Sequence, residues 1–502
     1  MTTSTIGGTT AANIQSLINL RSQLDDLQRQ LSTGKKSTTY AGLGLGRGVT
    51  VSLNSQLSAI NSFDQTISNV STKISVAQLS LGNMFDIGNS LKTAMAQGNS
   101  GGGTLGATAV QQNANISLDE MIGDLNTQAG AGYLFSGRDT DKAPVKTYDH
   151  ILNGNGSQAG LKQIISERNQ ADLGANGLGR LTLSSPSAGT ATLTEDATTF
   201  GMKIASVTST LSNATVSGPT GSPATMSVDF TGGNPSPGDA ITMRFTMPDG
   251  STENMTMTAT TANPPGANSF TIGANASDTA ANFQSGMTSA LGTLAATSLT
   301  AASAVQASNE FFNADANNPP LRVDGPPFDS ASGLVAGTSA NSVIWYQGET
   351  GSDPARSSAT ARIDPSLTVN YGVRANEQGI RSLLQGVATM AAVTVPNDAN
   401  TSALSSAFNQ RVAPSLNGTA GGQTVSNIQT DLANAQVALN SATQRHAQQS
   451  STLSTYLDQI QGVSNEQVGA EILTLQTRLQ ASMQVTAMLY QTSLVNYMPP
   501  GG

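Results

Sequence analysis

Two histidines and no cysteine limit the chemistry that this chain of 502 residues could perform. Without a thiol there is no cysteine nucleophile, thiolate zinc site or disulfide. Two imidazoles are too few for a histidine-rich metal site, and they make imidazole-based catalysis improbable. His446 lies on a helical heptad seam, where the favoured interpretation is a polar core residue that fixes register. His150 lies in a connecting segment and is expected to be exposed.

Two glycine-rich patterns imitate catalytic and nucleotide-binding motifs. Residues Gly98 to Gly102 fit G-x-S-x-G, and Gly101, Gly103 and Gly106 fit G-x-G-x-x-G. A nucleophile elbow and a dinucleotide site both need a strand that leads into the motif, whereas a helical pattern precedes this one. We therefore expect a flexible connection between helices here, and neither a hydrolase nor a dinucleotide site.

A third pattern has the spacing of calcium ligands. Asn313, Asp315 and Asn317 alternate as in a calcium loop, but Asn318 stands where the sharp turn needs glycine. A polar turn is the expected structure, and the single Trp345 is expected in a core. The sequence thus predicts no catalytic residue, no metal ligand and no cofactor.

The composition excludes several classes of protein. Charged residues form 11% of the chain, against about 25% in ordinary globular domains. A net charge of −9 argues against a nucleic-acid partner, and no apolar run of about 18 residues predicts a membrane span. No cleaved signal peptide is expected, because residues 1–10 lack a basic residue and an apolar stretch. The thiol-free, hydroxyl-rich composition is nevertheless typical of a secreted, extracellular protein.

Helical patterns occupy both ends of the chain, and a strand-rich pattern occupies the middle. Apolar residues step by three and four from Leu17 to Leu31, resume at Leu53 after a glycine-rich break, and recur from Val425 to Val463 and from Val468 onward. Between them, short β-type runs alternate with turn signals, and Asp249-Gly250 predicts a hairpin.

These patterns predict a mainly α protein with an α+β insert. Both termini would form a long antiparallel helical coiled-coil bundle, with a β-rich outer domain inserted between them. Residues 1–45 and 465–502 would be terminal helical core segments that become ordered on assembly. Residues 46–145 and 396–464 would form the long helical bundle, and residues 146–395 a surface-exposed β-rich variable domain.

Three segments resemble one known family. Leu31-Ser32-Thr33-Gly34-Lys35-Lys36 resembles the N-terminal motif of the flagellins, and Leu475-Gln476 with Leu479-Gln480-Ala481-Ser482 and Val485 resembles their C-terminal helix. Gly132 to Gly137, followed by Thr140 and Pro144, resembles the hook-associated protein 3 branch. The residues from Tyr40 to Gly48 depart from ordinary flagellins, because they are rich in Gly and Leu where flagellins are polar and acidic. The middle of the chain does not match.

The resemblance implies a structural subunit of the bacterial flagellum that is exported by the flagellar type III apparatus, with an export chaperone as a further partner. Its partners would be itself or other flagellar axial proteins, namely hook-associated proteins and flagellin. A hook–filament junction role is favoured, filament flagellin is the close alternative, and an extracellular adhesin or phage-fibre-like protein is the distant one. The expected assembly interface comprises Leu17, Leu20, Leu24, Leu27, Leu31, Leu475, Leu479, Leu489 and Leu494.

Overall fold

Helices occur throughout the described chain. The computed structural model describes residues 3–101, 103–185, 187–416, 418 and 422–495, without the side chains of 3–10, 98–101, 103–105 and 492–495. The helices are α1 (Thr3–Thr33), α2 (Arg47–Gly101), α3 (Gly103–Leu125), α4 (Tyr148–Asn153), α5 (Leu161–Leu173), α6 (Ala276–Leu294), α7 (Thr300–Asn313), α8 (Gln378–Ala392), α9 (Thr401–Leu416), α10 (Val425–Gln461) and α11 (Asn465–Val495). A 3₁₀ segment at Tyr40–Gly46 precedes α2, and a π-helical turn at Ala295–Leu299 joins α6 to α7.

The strands form several small, separate sheets. They are β1 (Gln128–Ala129), β2 (Gly132–Tyr133), β3 (Leu181–Ser184), β4 (Thr190–Glu195), β5 (Lys203–Ser209), β6 (Thr215–Thr220), β7 (Thr225–Asp229), β8 (Ala240–Thr246), β9 (Thr252–Thr260), β10 (Ser269–Thr271), β11 (Leu321–Val323), β12 (Leu334–Ala336), β13 (Thr360–Asp364) and β14 (Leu367–Asn370). Two four-stranded sheets have the orders β3-β4-β7-β6 and β10-β9-β8-β5, and the other sheets are two-stranded.

The chain divides into two compact units. The first unit consists of Met1–Asn69, Arg362–Thr368 and Ala438–Gly502, and the second of Val70–Ala361 and Val369–Val437. Helices α2 and α10 each contribute residues to both units. In the described residues the first unit is mainly helical, with non-helical segments at 34–39, 362–368 and 462–464, and both four-stranded sheets belong to the second.

Alternating side chains build the core of the sheet region in the second unit. Ile241, Met243 and Phe245 of β8 are fully buried, because successive residues of a strand point to opposite faces of a sheet. The predicted hairpin is confirmed, since β8 and β9 pair antiparallel on either side of Asp249-Gly250. Helix α6 covers this core and places Phe283 with its ring centroid 5.1 Å from that of Phe270, in an edge-to-face contact.

A second group of helices in the same unit packs around α8. Helix α8 contacts α3, α7 and α9, and its Leu384, Val387 and Ala391 are fully buried. This helix lies inside the segment 146–395, which the sequence predicts to be β-rich. The middle of the chain is therefore a mixture of helices and small sheets.

The predicted fold class is wrong. The protein is 56% helical with several small, separate sheets, and in the described ranges no two terminal helices form a long coiled-coil bundle with an inserted domain. A heptad seam shows which face of a helix is apolar, but it does not identify the element that covers that face. Residues of α2 and α10 fall into two different units, and α3 packs on α8 and α9 instead of joining a terminal bundle.

Candidate assembly surface

The first and last helices of the chain pack against each other within the first unit. On α1 the partly buried seam carries Leu17, Leu20, Leu24 and Leu27. On α11 the most buried residues are Val468, Ile472 and Leu475, each less than a tenth exposed. Further along α11 the same face continues through Leu479, Ser482 and Thr486, which are only partly buried. The contact is therefore tight at the start of α11 and loosens toward its end.

The motif that follows α1 is hydrogen-bonded to the corner between α10 and α11. The Lys36 backbone N–H donates to the Gln461 carbonyl at 2.7 Å, and the Val463 N–H donates to the Gly34 carbonyl at 3.1 Å. The Lys36 ammonium also donates to the Ile460 carbonyl at 3.1 Å. The segment after α1 and the corner before α11 are thus joined by main-chain hydrogen bonds, which fix their register independently of side-chain packing.

Gly34 makes this junction possible. Its φ of 66° is in the left-handed region, and its N–H donates to the Gln30 carbonyl at 2.8 Å, which caps the end of α1. Glycine adopts this conformation without the steric cost that a Cβ atom imposes. The local backbone conformation therefore explains why glycine occupies this position of the flagellin-like motif.

Helix α11 leaves many apolar side chains in water. Leu473 is 66% exposed and Met488 is 68% exposed. Among the described side chains, the other exposed large apolar residues of α11 are Met483, Val485, Leu489 and Tyr490. At 100° per residue, these residues occupy several faces of the helix and not only the flanks of the α1 contact. A helix that is apolar on most of its faces is expected to be covered by other protein.

Other exposed apolar residues of the first unit are clustered in sequence. Leu45 is fully exposed, and Tyr40, Val49 and Val51 are about half exposed. Most of the large apolar side chains that are exposed in the described residues belong to the first unit. We name residues 40–51 the apolar loop segment.

The predicted interface residues have different environments. Leu17, Leu20, Leu24, Leu27 and Leu479 are partly buried, Leu475 is buried, and Leu31 and Leu489 are 41% and 51% exposed. Leu494 belongs to α11, but its side chain lies outside those described. The interface residues on α1 and at the start of α11 lie on two helices that pack against each other, whereas Leu489 is on the exposed surface.

Sequence reasoning missed Ile14, Ile18, Leu473 and Leu45, which are exposed apolar residues of the same unit. None of them lies on the predicted heptad seam. The signal that could have found them is an apolar residue out of phase with the seam, because a helix with one partner needs only one apolar stripe.

The Gly132–Gly137 segment is firmly held in the second unit. Phe135 is fully buried, and its carbonyl accepts from the Ala375 N–H at 2.8 Å. Beside it, the Arg138 backbone N–H donates to the Glu349 carboxylate at 2.9 Å, and the Arg138 guanidinium donates to the same carboxylate at 2.6 Å. The segment is thus an anchored part of the unit.

The residues with catalytic or metal-binding potential each have a polar partner within the fold. His446 is 1% exposed, with its Nδ1 2.6 Å from an Asp64 carboxylate oxygen, beside an open groove of about 590 Å³. His150 is partly buried in α4, against the expectation of exposure, and its Nε2 lies 3.4 Å from the Gln158 amide oxygen. The Asp315 carboxylate accepts from the backbone N–H groups of Asn317 and Asn318, as in a polar turn.

The glycine-rich motifs lie where α2 ends and α3 begins. Residues 98–101 are helical, so no strand leads into either pattern, while Gly102 and the neighbouring side chains lie outside the described residues. Trp345 is a buried core residue whose indole N–H donates to the Phe312 carbonyl at 3.0 Å.

Two further observations concern metal sites and membrane spans. Within the described part of the chain, no group of three or more His, Asp or Glu side chains is arranged to hold a metal ion. Among the same residues, no helix has both the length and the apolarity that crossing a membrane requires.

No protein-family model matches this chain, and no curated protein matches it.

Proposed function

We propose that the protein is a structural subunit of the bacterial flagellum, in the family of flagellin and hook-associated protein 3, and that it acts at the junction of hook and filament. The observation that carries this proposal is the hydrogen-bonded junction between the segment after α1 and the corner before α11. The Gly34–Lys36 part of the flagellin-like motif is hydrogen-bonded to the corner that leads into α11, which carries the second flagellin-like motif.

The exposed apolar residues of the first unit support a polymerising role. Burial of one Val, Leu or Met side chain contributes about 1.5–3 kcal/mol, and α11 has six large apolar residues that are half exposed or more. A subunit that stacks on its neighbours through such a helix gains this energy at every contact. Repetition of one heterologous contact produces an open helical assembly.

The anchored Gly132–Gly137 segment supports the junction role over the filament role, because this segment carries the resemblance to hook-associated protein 3. The Gly- and Leu-rich sequence from Tyr40 to Gly48 also differs from that of ordinary flagellins. In this role the protein is not an enzyme and needs no cofactor. Its partners are itself, hook-associated proteins and flagellin, and it reaches the cell exterior through the flagellar type III apparatus with an export chaperone.

The test is labelled-antibody electron microscopy of intact flagella from the source bacterium. The proposal expects one band of label at the hook end of each filament. Label along the whole filament would establish the alternative, a filament flagellin. Label elsewhere on the cell surface, with flagella unlabelled, would contradict any flagellar role and favour an adhesin.

A further inference from the structure

Helices α2 and α3 of the second unit form a groove that is lined by two isoleucines, two carboxylates and three small polar side chains. Asp86, Ile87 and Ser90 of α2 face Asn113, Ile116, Ser117 and Glu120 of α3 across a cavity of about 320 Å³. Ile116 is 63% exposed, and Leu79, on the same face of α2, is 66% exposed. We name this cavity and its rim the α2–α3 groove.

The charge of the groove has one sign. Asp86 and Glu120 line it, and none of the described lining residues is Lys or Arg. Asp124 extends the acidic rim by one helical turn, where its carboxylate accepts from the Asn83 amide at 3.5 Å. A groove that combines isoleucine side chains with carboxylates favours a partner that combines exposed apolar side chains with basic ones.

The apolar loop segment has the complementary properties. Leu45 is fully exposed and Val49 half exposed, and Arg47 is exposed between them. From Leu27 to Phe63 the chain contains no Asp or Glu, while Arg29, Lys35, Lys36 and Arg47 are all basic. Within residues 40–51, Arg47 is the one charged residue, so the apolar loop segment carries a positive charge.

We propose that the α2–α3 groove receives the apolar loop segment of a second copy of this chain, with Leu45 inserted beside Ile116 and Arg47 facing Glu120 and Asp86. The inference rests on the proposed function, because a polymerising subunit must present two different surfaces that fit each other. It adds a contact that involves neither α1 nor α11.

The absence of cysteine permits a direct test. One sample of full-length chain carries Leu45→Cys, and a second, mass-tagged sample carries Ile116→Cys. The two are mixed under assembly conditions and treated with a short thiol-to-thiol cross-linker, so that a product of mixed mass reports a contact between copies. The matched control replaces Ile116→Cys with Val437→Cys, because Val437 is also 63% exposed and also belongs to the second unit.

We expect several-fold more mixed product with Ile116→Cys than with Val437→Cys. Adding Glu120→Lys to the groove sample should lower the yield about two- to fivefold, as expected for an exposed charge pair, and adding Arg47→Glu to the other sample should restore it. Equal yields at the two positions would overturn the proposal. A dominant product between two Ile116→Cys chains would also overturn it, in favour of a contact between two grooves.

Sedimentation of the same mixtures separates this inference from the proposed function. Pelletable polymer with equal cross-linking at the two positions would leave the polymerising function standing and refute the groove contact. Specific cross-linking at Ile116 without any polymer would support the groove contact and count against the polymerising function.

Discussion

At the scale of single residues, a carboxylate and a glycine each fix a turn for an identifiable reason. The Asp239 carboxylate accepts from the backbone N–H groups of Ser212 and Ser236, both at 2.8 Å, and from the Ser212 hydroxyl. These hydrogen bonds, above all that of the Ser212 hydroxyl, hold the pKa of Asp239 below its ordinary value of 3.8. The ionised form is therefore stabilised in the folded protein.

The first prediction follows from this lowered pKa. Asp239→Asn should lower the melting temperature at neutral pH, because the stabilisation by an aspartate with a lowered pKa is present above 3.8 and is lost as the pH falls through the folded pKa. At a pH below the folded pKa, variant and parent should melt together. Asp141→Asn, in an exposed turn, is the control. An equal loss of melting temperature at neutral pH and below the folded pKa would show that the amide disrupts the turn sterically.

The second prediction concerns Gly34 and Gly469, both in the first unit. A Cβ atom on either would meet nothing within 4 Å, so only the backbone distinguishes them. Gly34→Ala should lower the free energy of unfolding by about 1–2 kcal/mol, because its φ is positive. Gly469 lies within α11, so Gly469→Ala should raise the free energy of unfolding by about 0.5–1 kcal/mol. Chemical denaturation measures both, and changes of the same sign would refute the explanation.

At the scale of secondary-structure elements, α11 has two kinds of apolar residue. Leu475 is 8% exposed on a helix that packs against α1, whereas Val485 is 54% exposed. The first kind stabilises the subunit, and the second kind is available for contact with another molecule. This difference allows folding and assembly to be separated by substitution along one helix.

The third prediction uses that difference. Leu475→Asp should lower the melting temperature of the monomer strongly, because it buries a carboxylate without a partner, which costs several kcal/mol. Val485→Asp should leave monomer melting nearly unchanged and abolish pelletable assembly. Gln480→Asp adds the same charge at an exposed polar position and should preserve both properties. Normal assembly of Val485→Asp would remove this face of α11 from the interface.

The helices at the chain ends and the β8–β9 hairpin could be predicted because their periodicity is local. The long bundle could not, because the partner of an apolar stripe is decided by tertiary packing. Helix α8 was missed although Ile380, Leu383, Leu384 and Val387 have helical spacing, because the segment 146–395 was assigned as β-rich as a whole. At the candidate surface, the motif residues were found, but the exposed residues outside the heptad phase were not.

At the scale of the whole molecule, the division into two units determines how the protein should unfold. The single Trp345 is buried in the second unit, so its fluorescence reports the unfolding of that unit. Far-ultraviolet circular dichroism follows helices in both units. Each unit also has a buried apolar residue suited to truncation: Ile60 in the first and Phe283 in the second.

The last prediction is that truncations in the two units act on different transitions. Phe283 contacts the rings of Phe270 and Phe230, with centroids 5.1 and 5.6 Å away, and Phe283→Ala should cost the second unit about 3–5 kcal/mol. Tryptophan fluorescence should then change at a lower temperature. Ile60→Ala should cost the first unit about 2–5 kcal/mol and shift the dichroism transition, while the fluorescence transition stays in place. Equal shifts of both signals by both variants would show that α2 and α10, which contribute to both units, make the chain unfold as one cooperative body.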